Sequence, residues 1–122
     1  MKIAIFAHYN KYNQVQEYVK YYLSQLSTVC DEIICVTTSA LSIDDIKQLK
    51  QYCSDVILRE NVGHDFYSYK IGLASIQDLR RVDKLILCND SCFGPLFELH
   101  NIYAKLINSS GDIWGSSANR RP

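Results

Sequence analysis

The sequence predicts an α/β fold, a three-layer αβα sandwich built on a mostly parallel sheet. Three observations carry that expectation. Short apolar runs alternate with segments of helical spacing, in the order βαβαβαβαβ. The runs are apolar almost throughout, as strands covered on both faces must be. The polar residues collect just after the strands, in His8-Tyr9-Asn10, Thr37-Thr38-Ser39, Glu60 to Asp65 and Asn89-Asp90-Ser91. Parallel sheets bind ligands beyond the carboxyl ends of their strands, so that is where a site is expected.

The elements follow in order. "KIAIFAHYN" is a continuous apolar run that stops at polar residues, and forms the first strand. "NQVQEYVKYYLSQL" sets Val15, Tyr18, Val19, Tyr22, Leu23 and Leu26 on one helical face, with Asn13 as the expected cap. "DEIICVTT" is the second strand. "SALSIDDIKQLKQYC" is the second helix: Ser42 caps it, and Asp44 and Asp45 sit in the first turn, where the helix dipole favours acids. "SDVILRE" is a shorter third strand, "NVGH" a loop and "DFYSYKIGLASIQDL" a third helix. "VDKLILCND" is the fourth strand. Gly94-Pro95 opens a fourth helix, and "GDIWGSS" reads as a fifth strand.

The 122 residues suit one domain, with enough chain to bury a core. Thirteen basic and thirteen acidic residues balance to zero, which argues against a nucleic-acid partner recruited by a basic field. No apolar run nears the roughly 20 residues of a membrane span, and no signal peptide precedes "IAIFA". Five cysteines, an odd number outside CxxC pairs, point to a reduced, cytoplasmic setting with thiols used in packing. Peripheral attachment to the inner face of the membrane stays open.

Among the polar clusters, Asp90 stands out. It brings a carboxylate to the tip of a central strand, where it can hold a divalent cation shared with a diphosphate; the plain alternative is a carboxylate bonding the turn ahead of Gly94. Asp65 has two readings as well: a helix N-cap, or a group that bonds a sugar or ribose hydroxyl beside a helix N-terminus. Gly63 permits a close backbone approach. Tyr9 can stack on a base or close the sheet end. His8 reads as a structural histidine, Lys70 as a solvated one. Cys88 and Cys92 match no zinc spacing and read as packing. No GxGxxG, Walker, GxSxG or HExxH motif is present.

"IFAHYN", "RENVGHDFYSYKIGL", "LCNDSCFGPL" and "DIWG", in this order, resemble the rhamnan synthesis protein F family across essentially the whole chain. That family is regarded as rhamnosyltransferases of bacterial surface polysaccharides, and is similar to inverting glycosyltransferases with the Rossmann-like GT-A fold. The resemblance implies that Tyr9 and Asn10 lie by the base. After the second strand, where the wider group carries aspartates for the base or ribose, this chain has Thr37-Thr38-Ser39, and Thr38 is the nucleotide-sugar-binding residue expected there. The resemblance also implies that Asn61, Gly63 and Asp65 shape the sugar and phosphate pocket. Asn89, Asp90 and Ser91 then fall where the wider group carries Asp-x-Asp. Asp90 becomes the catalytic and metal-binding residue, either through Mg²⁺ or Mn²⁺ or without a cation. Implied partners are a nucleotide sugar such as dTDP-rhamnose, a polysaccharide or lipid-linked acceptor, and a partner chain supplying the acceptor half. By the wider group's usual length, residues 1–122 are one nucleotide-sugar-binding domain truncated at its C-terminal end. His64 and Asp65 are the reachable general bases. The alternative is a non-catalytic remnant that binds nucleotide weakly or serves assembly.

Overall fold

The structure, a computed structural model, describes residues 1–60 and 64–90. The expected fourth helix and fifth strand lie outside them, as do Asn61, Gly63, Ser91 and Cys92. The described elements are β1 (Lys2–His8), α1 (Glu17–Leu26), β2 (Glu32–Thr37), α2 (Ile43–Leu49), β3 (Asp55–Leu58), α3 (Asp65–Ala74), a 3₁₀ turn (Leu79–Arg81) and β4 (Lys84–Asn89).

The four strands form one parallel sheet in the order β3-β2-β1-β4. From β1 the chain steps outward to β2 and β3, then returns across the sheet to β4 on the other side of β1. Right-handed crossovers require such a reversal to change faces. The two cores show this. Val19, Leu23 and Leu26 of α1 and Leu49 of α2 pack on Ala4, Phe6, Ile33 and Cys35. Tyr69, Ile71 and Leu73 of α3 pack on Ile3, Ile5, Ile34 and Val36. Successive strand residues thus serve opposite layers, which explains the unbroken apolar runs. The α/β, three-layer, Rossmann-like expectation holds for this part of the chain.

Three local expectations are corrected. Asn13 does not cap α1. The helix begins at Glu17 after Gln16, which makes no side-chain cap. Asn13 instead has φ 56°, a left-handed conformation that Asn tolerates, and its Oδ1 accepts the Ala40 N–H at 2.9 Å. The third helix stops at Ala74 rather than running on to Leu79; Ser75 Oγ donates to the Gly72 carbonyl at 2.6 Å, and Asp78 starts the separate 3₁₀ turn by accepting the Arg80 N–H. Strand β3 covers only Asp55–Leu58. Ser42 does cap α2, accepting the Asp45 N–H at 3.1 Å.

The β1–β4 junction sets the site. The direction reversal makes it the topological switch point of the sheet, where doubly wound folds open a crevice at the carboxyl ends. Strand register pairs Ala7 with Asn89, so the next residues, His8 and Asp90, come abreast. On the other flank, His8 is paired with Thr37.

Candidate functional site at the switch point

Residues 89 and 90 face opposite layers, and each is tied to the one it faces. Asn89 lies on the α3 side, and its Nδ2 donates to Asp65 Oδ2 at 2.6 Å. Asp65 stands in the first turn of α3, after the N-cap residue His64, which makes no side-chain cap bond. Asp90 shares the α1 side with Ile86 and Cys88, which pack on that core. Its backbone carbonyl accepts the Tyr18 hydroxyl of α1 at 3.1 Å. Its Oδ2 accepts the Tyr9 backbone N–H at 3.0 Å. Two helices and the end of β1 therefore fix the tip of β4.

The environment of Asp90 is unfavourable to a bare carboxylate. Burial raises its pKa, and the nearby Asp65 charge adds to that; the backbone N–H groups of Tyr9 and of Asp90 itself pull the other way. Tyr18 is raised in turn, by burial first and by the Asp90 charge second.

His8 reaches the same place from below. It is 2% exposed. Its Nδ1 lies 2.8 Å from Thr37 Oγ1, and Thr37 Oγ1 also accepts the Ser39 N–H at 3.1 Å. Its Nε2 is buried without a hydrogen-bond partner among the described residues, and lies 3.9 Å from Asp90 Oδ2. Burial pushes the His8 pKa down to about 4, against a weaker upward pull from the Gln14 backbone and Asp45. The imidazole is therefore neutral at pH 7, and its approach to Asp90 is not an ion pair.

The remaining expected residues divide. Tyr9 is 51% exposed beside Asp90, with its ring on the surface. Asn10 is committed to its own loop: Oδ1 accepts from the N–H groups of Tyr12 and Gln14, and its backbone exchanges hydrogen bonds with Ser39. Thr38 joins through its backbone N–H, which donates to the His8 carbonyl at 3.1 Å. So Tyr9, Asn10, Thr38, Asp65, Asn89 and Asp90 converge at one end of the sheet. His64 is exposed at the start of α3.

Two residues were missed by sequence reasoning. One is His8, read from the sequence as structural; its part follows from the strand register, which sets it between Thr37 and Asp90. The other is Arg59, just past β3. Its guanidinium donates to Ser68 Oγ at 2.9 Å, to the Glu60 carbonyl at 2.9 Å and to the His64 carbonyl at 3.2 Å, and lies over the Tyr67 ring. It thereby clamps both ends of the loop that precedes α3.

The described cysteines are not part of this chemistry. Cys30, Cys35, Cys53 and Cys88 are all free. Burial pushes the Cys30 thiol up to about 11 and raises Cys88 further, and Cys35 is raised by its hydrogen bond with Cys53 and by burial. Cys30, Cys35 and Cys88 therefore lack the depressed pKa of a reactive thiol. Among the described residues no group of three or more His, Cys, Asp and Glu side chains is placed to hold a metal alone. No described helix is long and apolar enough to cross a membrane. A groove of about 380 Å³ opens at the opposite end of the sheet, between Glu32, Asp55, Asp78 and Arg81. It lies at the amino ends of the strands, away from the switch point, and gathers none of the expected residues.

Comparison with known proteins places the chain in a family. The family model of rhamnan synthesis protein F matches residues 33–121. The chain belongs to that family. It is 40% identical over 68 residues to the virulence protein VirA of Vibrio anguillarum, a match covering 53% of this chain and 21% of that protein. It is 27% identical over 90 residues to an uncharacterized protein of Sinorhizobium fredii, covering 73% of this chain and 24% of that one. The matches thus span about a fifth to a quarter of these relatives' length. No solved structure matches the chain significantly.

Proposed function

We propose that this chain is the donor-nucleotide portion of a glycosyltransferase of bacterial surface-polysaccharide synthesis, working on the cytoplasmic side of the membrane. The donor is a nucleotide sugar of the dTDP-rhamnose kind, and the acceptor a polysaccharide or lipid-linked sugar. The observation that carries the reading is the carboxylate of Asp90 at the β1–β4 switch point, in a chain of the rhamnan synthesis family.

In the reaction an acceptor hydroxyl oxygen bonds to the anomeric carbon from the face opposite the diphosphate, and its proton passes to a general base, for which Asp65 and His64 at the start of α3 are the candidates. The bond from that carbon to the phosphate oxygen breaks, and the diphosphate leaves with the electron pair, inverting the centre. Asp90 steadies the departing diphosphate. The donor set suits a divalent cation shared with phosphate oxygens and waters, since such ions need only one or two carboxylates from the protein. Mg²⁺ or Mn²⁺ held by Asp90 would neutralise the developing charge. Asn89 holds Asp65 beside the phosphates, and the exposed Tyr9 offers its ring to the base.

Calorimetric titration with dTDP, with and without Mn²⁺, tests this. Binding that Asp90→Ala abolishes and Lys70→Ala retains is the expected result. Absence of binding to any nucleoside diphosphate at millimolar concentration would sink the proposal.

A further inference from the structure

We infer that His8 is a positioning residue for Asp90: its Nε2–H is the donor that fixes Oδ2, and the Thr37 hydroxyl sets the tautomer that makes this possible. The inference rests on the assignment of Asp90 to the ligand site, but its first test does not.

The argument is a count of donors and acceptors. Thr37 is fully buried. Its oxygen already accepts the Ser39 N–H, so its single proton needs an acceptor. The partner in reach is His8 Nδ1 at 2.8 Å. Nδ1 then accepts, and the ring proton of the neutral imidazole sits on Nε2. A buried N–H without a partner costs about 1–3 kcal/mol, so an acceptor is expected to serve it. The Asp90 carboxylate stands 3.9 Å away on the same side of the sheet, with Oδ2 already turned inward by the Tyr9 N–H. This hydrogen bond requires the Asp90 side chain to close that gap by rotating toward Nε2. The Gln14 carbonyl is the competing acceptor.

The chain Ser39 N–H to Thr37, Thr37 to His8, and His8 to Asp90 runs across three strand ends. It commits Oδ2 to the protein and assigns Oδ1 to the ligand. It also excludes His8 from the metal: a protonated Nε2 has no lone pair to give.

Two variants separate this role from packing. In His8→Gln the amide nitrogen can reach the position of Nε2; in His8→Asn it stops at the level of Nδ1. The first readout is NMR of the ¹⁵N- and ¹³C-labelled chain at pH 7 without ligand. The expected result is an Nε2–H tautomer for His8, and a change in the Asp90 carboxyl ¹³C shift in His8→Asn that His8→Gln largely restores. An Nδ1–H tautomer, or an Asp90 carboxyl signal indifferent to His8→Asn, overturns the inference. The second readout is dTDP affinity with Mg²⁺: about tenfold weaker in His8→Asn and near wild type in His8→Gln, the size usual for residues that orient a ligand. Equal affinities in both variants and wild type also count against it. If the wild-type chain binds no dTDP, the proposed function fails while the NMR result still decides the role of His8.

Discussion

Lowering the pH from 7 to 5 is predicted to cost the fold about 2 kcal/mol through His8 alone. The folded chain keeps this ring neutral, with a pKa lowered to about 4 from the ordinary 6.5. The unfolded chain binds a proton there below pH 6.5; the folded chain resists until about pH 4. The stability linked to His8 is therefore whole above pH 6.5, falls with pH between 6.5 and 4, and changes no further below. At pH 5 the unfolded ring is almost fully protonated and the folded ring about one-tenth, which yields the 2 kcal/mol; at pH 7 the loss is only about 0.2 kcal/mol. Asp90 works in the opposite sense. Its pKa is raised in the fold, so its protonation on acidification favours the folded state and offsets part of the loss nearer its ordinary value of 3.8. Urea denaturation of wild type and His8→Gln at both pH values provides the assay, since groups common to the two proteins cancel. Wild type should lose about 2 kcal/mol more than the variant across this interval, with unchanged denaturant slopes. Equal acid losses would refute the reasoning.

Other substitutions test the packing. A Cβ at Gly72 would lie 2.6 Å from Cγ2 of the fully buried Ile5. Gly72→Ala sets roughly 1 kcal/mol of helix propensity against 1–3 kcal/mol of overpacking, for a net loss of about 1 kcal/mol and a Tm drop of roughly 5 °C. A Tm at or above wild type would contradict the close approach of α3 to β1. Arg59→Ala leaves the buried Ser68 hydroxyl and two carbonyls without their guanidinium and should cost about 2 kcal/mol by urea midpoint. Arg59→Lys should restore little of it, because an ammonium cannot span the three acceptors. Cys35 should resist thiol reagents at pH 8 until the chain is unfolded, as followed by mass spectrometry.

How far the sequence reveals this molecule depends on the range of the forces involved. Strands β1 and β2 are legible because burial on both faces leaves a continuous apolar run, and β4 because its run Leu85 to Cys88 is apolar throughout, although Leu85 and Leu87 are exposed among the described residues. The Ser42 cap is legible because its partner, Asp45, is three residues away. Asn13 misleads because its side chain answers to Ala40, across the sheet end, and nothing in "YNQVQ" announces that contact. The early end of α3 escapes because a serine hydroxyl at Ser75 competes for the last carbonyls without any glycine or proline to mark the stop. At the site, Asp90 declares itself as a carboxylate ending an apolar strand. His8 does not. Its part depends on strand order and register, which bring Thr37 and Asp90 to either side of it, and a lone histidine at the end of a strand carries no sign of that. Arg59 is obscured likewise, since its acceptors are a helix hydroxyl and two backbone carbonyls.

The location of the ligand is the central claim, and amide chemical-shift mapping with dTDP and Mg²⁺ tests it most directly. The account predicts that the amides of Tyr9, Asn10, Thr38, Asp65, Asn89 and Asp90 move together and saturably. Shifts confined to Glu32, Asp55, Asp78 and Arg81, at the far end of the sheet, would contradict it.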